Sequence, residues 1–200
     1  MRMVGESSAF VRQFLRAPAS TGAVWPSSRW LAAAMVAPVP RRGESVVVEL
    51  GPGTGAFTRA IESRLDGRGR QLAVEVNPTL AAYAARRFPD IDVVVGDAAH
   101  LAEILRERGL NRADVVVSGL PWAVFPADTQ RGILRAIASV LGEGGAFTTF
   151  AYVHARALPA ALRFRRLLET RFDEVVTGRT VWRNFPPALV YHCRHPKGNP

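Results

Sequence analysis

"VVVELGPGTGAFTRAI", residues 46–61, decides the fold. It opens on a short, apolar, β-branched run, the composition of a strand buried on both faces. From Ala56 onward "AFTRAIESRL" spaces its apolar residues near a period of 3.6, which predicts a helix. Between the two, Gly51, Gly53 and Gly55 let the backbone turn sharply and approach a ligand with no Cβ in the way. Strand, glycine turn and helix form the opening unit of a doubly wound sheet, whose nucleotide ligands sit at the strand ends. Gly51, Gly53 and Ala56 also satisfy the loose dinucleotide pattern, so the glycines alone leave the nucleotide open.

The same alternation continues outward. Strands are expected at 70–76, 91–97, 113–121 and 144–153, with helices at 78–88, 102–109, 128–141 and 159–172. Two last strands fall near 174–182 and 188–194. Asn77-Pro78 opens its helix with proline at the first helical position, and Asp128 is a plausible cap for the next but one. The order implies an α/β fold: a doubly wound, mostly parallel, seven-stranded sheet covered by helices, with an antiparallel edge at the C-terminus. Two extra helices precede the first strand, "ESSAFVRQFLRA" (6–17) and "SSRWLAAAMV" (27–36), the second capped by Ser27 or Ser28. In the first, Phe10, Val11, Phe14 and Leu15 make one apolar stripe beside Arg12 and Arg16. Such a stripe packs on a domain or lies on a membrane surface.

The 200 residues suit one domain, 1–200, with 1–42 as an N-terminal helical extension. No apolar run reaches the roughly 18–20 residues of a membrane span, and the N-terminus lacks a secretory signal's apolar core. A cytoplasmic location is expected. Cys193 is the only cysteine, which excludes an intrachain disulfide and a cysteine zinc site, and no metal is expected. The net charge of +9 is uneven: residues 1–42 carry +5, 43–155 carry −2 and 156–200 carry +6. Basic flanks suit an anionic partner, phospholipid headgroups or nucleic acid.

Three carboxylates turn the nucleotide away from NAD. Glu49 stands just before the glycine loop, a poor neighbour for a pyrophosphate but a good one for the cationic amino group of S-adenosylmethionine. Pro52 removes an amide donor that a phosphate would want. Glu75, ending strand two, is placed to hold both ribose hydroxyls. Asp97, with Ala98 after it, ends strand three where a carboxylate accepts from an adenine amine. A cation, a diol and an amine together describe S-adenosylmethionine.

Four stretches then carry a resemblance: "FLRAPASTGAVWPSS" (14–28), "ELGPGTGAFT" (49–58), "SGLPWAVFP" (118–126) and "VWRNFPPALVYHC" (181–193). Over nearly its whole length the chain resembles the class I S-adenosylmethionine-dependent methyltransferases, with their Rossmann-like fold. Within them it resembles the bacterial phospholipid N-methyltransferases, which methylate phosphatidylethanolamine. The neighbouring family, the ribosomal-RNA adenine N6-dimethyltransferases, ends its fourth strand in Asn-Leu-Pro-aromatic, the Asn accepting from the target amine. Here that position is Gly119, preceded by Ser118. An alkylamine is a good nucleophile once deprotonated and needs an acceptor less than an adenine amine does. The chain also ends too soon for the dimethylases' additional RNA-binding domain.

The expected acceptor is therefore the amine of phosphatidylethanolamine or its mono- and dimethyl derivatives, with a soluble amine or RNA as alternatives. Gly119, Trp122, Tyr152 and His154 are the candidate catalytic set, with His192 a further candidate base. Trp122, Tyr152, Trp25 and Trp182 are candidate aromatic faces for a methylated cation. Arg183-Asn184 is a candidate phosphate clamp. The partners implied are an anionic membrane surface and the phospholipid substrate, without nucleic acid, at the inner face of the cell membrane.

Overall fold

The computed structural model describes residues 27–197. Seven strands form one sheet: β1 (Val46–Leu50), β2 (Arg70–Glu75), β3 (Asp92–Val95), β4 (Ala113–Ser118), β5 (Leu141–Tyr152), β6 (Phe172–Thr177) and β7 (Ala188–Pro196). Their order is β3-β2-β1-β4-β5-β7-β6. β1 to β5 run parallel, whereas β7 is antiparallel to both of its neighbours. The antiparallel strand is thus inserted between β5 and β6, and β6 forms the edge. β7 can reach that slot because a turn, not a helix, links it to β6, so the chain reverses beside the strand it has just left.

Six α-helices lie among the described residues: α1 (Arg29–Met35), α2 (Ala56–Leu65), α3 (Pro78–Arg87), α4 (Leu101–Arg106), α5 (Ala127–Val140) and α6 (Pro159–Arg171). Ser28 caps α1, its Oγ accepting from the Leu31 amide at 3.2 Å. Asn77 caps α3 and Pro78 occupies its first turn. Asp128 does not cap α5. It lies inside the first turn, where it pairs with Arg131, and Pro126 takes the cap position. The helix after β3 is split into a 3-10 turn, Ala98–His100, and the short α4. The stretch 6–17 lies outside the described residues.

Alternate strand residues face opposite sides, and both sides are buried. On one side Leu31 and Met35 of α1 and Phe57 and Ile61 of α2 cover Val47, Val115 and Val117. On the other, Leu134 and Ile137 of α5 and Phe164 and Leu168 of α6 join Val48, Val116 and Phe147. β1 has β2 on one flank and β4 on the other, so the chain winds away from β1 in both directions. The crevice outside the carboxyl ends of β1 and β4 is the topological switch point, where open α/β sheets bind ligands. Among the described residues no helix is long and apolar enough to cross a membrane.

Candidate active site

Two corners meet at that switch point. After β1 the chain turns through Gly51, Gly53 and Gly55, with φ of 72°, 51° and 85°. The Gly55 amide donates to the Pro52 carbonyl at 2.8 Å and closes the turn that starts α2. A Cβ on Gly55 would lie 2.3 Å from Cε2 of Phe88, so the loop is pressed onto the residue that ends α3. After β4 comes Gly119, whose amide donates to the Leu50 carbonyl at 2.8 Å. A Cβ there would stand 2.9 Å from the Gly51 carbonyl oxygen and 3.4 Å from the Phe57 ring. The room for an acceptor side chain at position 119 is taken by the first glycine of the opposite loop.

Ser118 and Trp122 hold the second corner from beneath. Ser118 Oγ accepts from the Leu120 amide at 3.3 Å and from Trp122 Nε1 at 3.1 Å. Gln130 of α5, fully buried, donates to the Trp122 carbonyl at 2.6 Å. Trp122 itself is buried. Its indole stacks on Phe164 at 4.6 Å and meets Phe125 and Phe147 edge-on. It therefore anchors the corner to the core of α5 and α6 instead of presenting a face to a ligand.

The carboxylates lie at the ends of successive strands. Glu49 of β1 is completely enclosed, and neither of its oxygens closes a hydrogen bond. Thr58 and Gln71 stand near it and ease its ionisation, but Gln71 Nε2 donates to the Thr58 carbonyl instead, at 3.1 Å. Burial outweighs both neighbours and pushes the Glu49 carboxyl up to about 7. Glu75 is also buried, and burial raises its pKa, against amide donation from Asn77 at 3.0 Å. Asp97 is half-buried and caps the following turn, accepting from the Ala99 amide at 2.9 Å, while Ala98 is buried beneath it. Glu49, Glu75 and the glycine loop thus meet around one edge, with Asp97 just past the end of β3, the strand two places from β1. An orphaned buried carboxyl beside a glycine cradle fits a cationic nucleoside: burial disfavours its ionised form, which an arriving cation would stabilise.

An aromatic row runs along the end of β5, and the sequence pointed only to its far end, Tyr152 and His154. Phe57 of α2 meets Phe150 edge-on at 5.9 Å, Phe150 meets Tyr152 at 5.4 Å, and Tyr152 stacks on His154 at 5.7 Å. The row runs from the Gly119 corner past the end of β5. Phe57 and Phe150 had sequence signals: Phe57 is the second residue of the helix behind the glycine loop. Phe150 shares the Tyr152 face at a spacing of two. Burial raises the Tyr152 pKa, so its hydroxyl keeps its proton at neutral pH. His154 is exposed. His192 lies four residues along β7 from Ala188, the partner of Tyr152, which removes it from this edge, and burial lowers its pKa.

The 181–187 loop departs from the expected clamp. Asn184 is 3% exposed and its amide is spent: Oδ1 accepts from the Ser28 amide at 2.9 Å and Nδ2 donates to the Pro186 carbonyl at 2.8 Å. It ties this loop to the start of α1 and cannot also hold a phosphate. Arg183 lies over the Trp30 ring at 4.8 Å, as does Arg29 from its own helix. Trp182 is 73% exposed, and Trp25 is outside the described residues.

Known proteins match this arrangement. A family model described as a methyltransferase domain matches residues 47–145. An ornithine lipid N-methyltransferase from Singulisphaera acidiphila is 38% identical over 191 residues, covering 92% of this chain and 94% of that protein. Ribosomal RNA small subunit methyltransferase A of Kineococcus radiotolerans is 46% identical over only 68 residues, 30% of this chain and 22% of that one. A solved TehB-like S-adenosylmethionine-dependent methyltransferase from Corynebacterium glutamicum superposes with a TM-score of 0.59 at 16% identity, covering 96% and 98% of the two chains. The glycine cradle at the switch point and a full-length relative converge on one assignment: the chain belongs to the class I S-adenosylmethionine-dependent methyltransferases.

Proposed function

We propose that the protein transfers methyl groups to the amine of a membrane aminolipid: phosphatidylethanolamine, its mono- and dimethyl derivatives, or an amine-bearing lipid such as ornithine lipid. The observation that carries the reading is Gly119. With the Gly51 carbonyl 2.9 Å from where its Cβ would be, the corner has no side-chain acceptor of the kind an adenine amine needs. An aliphatic amine needs none. The relative that matches almost end to end is named for a lipid amine, whereas the ribosomal-RNA methyltransferase match covers less than a third of the chain. A peripheral location at the inner face of the membrane follows from the substrate.

In this reading Glu49, Gly51, Gly53, Gly55, Glu75, Asp97, Ala98 and Gly119 form the donor site. S-adenosylmethionine would supply a methyl group on a sulfonium; the unprotonated amine would attack that methyl carbon, and the carbon–sulfur bond would break as S-adenosylhomocysteine leaves. Glu49 supplies the negative charge for the donor's amino group. Glu75 orients its hydroxyls, and Asp97 meets its base with the oxygen not engaged by Ala99. The protein's contribution to the displacement is alignment and exclusion of water. Tyr152, its hydroxyl protonated, orients the acceptor nitrogen, and His154 beside it receives the proton. Phe150 and Tyr152 offer aromatic faces to the cation that grows with each methyl added.

The test offers radiolabelled methyl donor to the enzyme with phosphatidylethanolamine vesicles, ornithine-lipid vesicles, total RNA and a soluble-metabolite extract. Label is expected in a lipid fraction. Label confined to RNA or to soluble amines refutes the reading.

A further inference from the structure

Helix α6 carries a surface that the donor and acceptor sites do not use. Leu158, just before its first turn, is 51% exposed and Leu162 is 47% exposed. The Leu162 amide donates to the Leu158 carbonyl at 3.1 Å, so the two leucines stand one above the other as a ridge. A shallow groove of about 290 Å³ flanks one side, lined by Val153, Arg156, Arg165 and Tyr191. A second of about 410 Å³ flanks the other, lined by Pro159, Arg163 and Arg166. No acid occurs between Tyr152 and Leu168. The nearest, Glu169, pairs with Arg165 at 3.3 Å. Among the described residues no carboxylate pairs with Arg156, Arg163 or Arg166.

We propose that the Leu158–Leu162 ridge, with Arg156, Arg163 and Arg166 around it, is a docking surface for an anionic phospholipid bilayer. Exposed aliphatic side chains enter the acyl boundary while long cationic ones reach the phosphates beside them. Single-stranded nucleic acid is the poorer match, because it stacks its bases on aromatic platforms among the cations and this ridge offers leucines. Position supports the same occupant. The 3-10 turn Val153–Ala155 leads from Tyr152 directly to Leu158, at the sheet edge that carries the glycine loop and the Gly119 corner. The ridge shares the strand-end edge with Tyr152, although α6 packs on the Phe147 face of the sheet and Phe57, Phe150 and Tyr152 lie on the other. The use of such a surface rests on the aminolipid reading, but its existence is measured without it.

The full chain is floated with vesicles of phosphatidylcholine, with and without phosphatidylglycerol, and titrated with total RNA. The wild type is expected on the anionic vesicles and not on phosphatidylcholine alone. Arg163→Glu with Arg166→Glu, and separately Leu158→Ser with Leu162→Ser, each lower anionic-vesicle affinity by roughly tenfold or more. The melting temperature and donor binding stay at the wild-type values. Wild-type vesicle affinity in both double variants overturns the proposal, as does equal binding to neutral vesicles or preference for RNA. Vesicle binding that depends on the ridge, together with failure to methylate any lipid, upholds the docking surface and sinks the aminolipid reading. Lipid methylation with ridge-independent binding does the reverse.

Discussion

Glu49 makes the folded state dependent on pH in a way that can be isolated. Its side chain is fully buried with both oxygens unpartnered, and burial raises its pKa from the ordinary 4.5 to about 7. Between those values the native chain holds a proton that the unfolded chain has released. Raising the pH through this window therefore favours the unfolded state, and the loss is complete once pH exceeds the folded pKa. At 1.36 kcal/mol per pH unit, the gap corresponds to about 3 kcal/mol. Glu49→Gln keeps the shape and removes the titration. Urea unfolding of both proteins without methyl donor, at pH 4.5 and pH 8, measures the difference. The variant's stability relative to wild type is expected to rise by about 3 kcal/mol between the two pH values. A relative stability that does not change with pH would show that Glu49 ionises as it does in water, and would refute its isolation beneath α2.

Three further outcomes follow from the two corners and from the loop that Asn184 ties to the start of α1. Gly119→Asn places its Cβ against the Gly51 carbonyl at 2.9 Å, a backbone atom that can yield only by moving the donor loop. Methyl transfer to any acceptor should fall roughly 100-fold, and initial rates with labelled donor check it. Gly55→Ala meets both a left-handed backbone and the Phe88 ring, at a combined cost of about 2–4 kcal/mol, read by calorimetry as a fall of about 5–15 °C. Asn184→Ala leaves the Ser28 amide and the Pro186 carbonyl without their buried partner and should cost about 1–3 kcal/mol in urea.

The strands and helices were legible because their signals are local. A β-branched run such as Val46-Val47-Val48 can be satisfied only by burial on both faces. Asn77-Pro78 starts a helix through bonds to residues two and three further on. The glycine turn was legible for the same reason, since Gly51, Gly53 and Gly55 are contiguous with the strand before them and the helix after. Asp128 misled because a good capping side chain competes with the exact backbone turn at Pro126, which the residue types do not encode.

What the sequence by itself determined was the βα alternation, the mostly parallel sheet and the carboxylates at the ends of its strands. Each depends on neighbours a few residues apart. Only the tertiary structure decided that Trp122 turns inward onto Phe164, that Asn184 is consumed by Ser28, and that β7 slips between β5 and β6. It also decided that Gly119 is a glycine because the Gly51 carbonyl needs the space. Each of these rests on contact between segments tens of residues apart in the chain, and the shape available to a side chain there is set by packing, which no local pattern records.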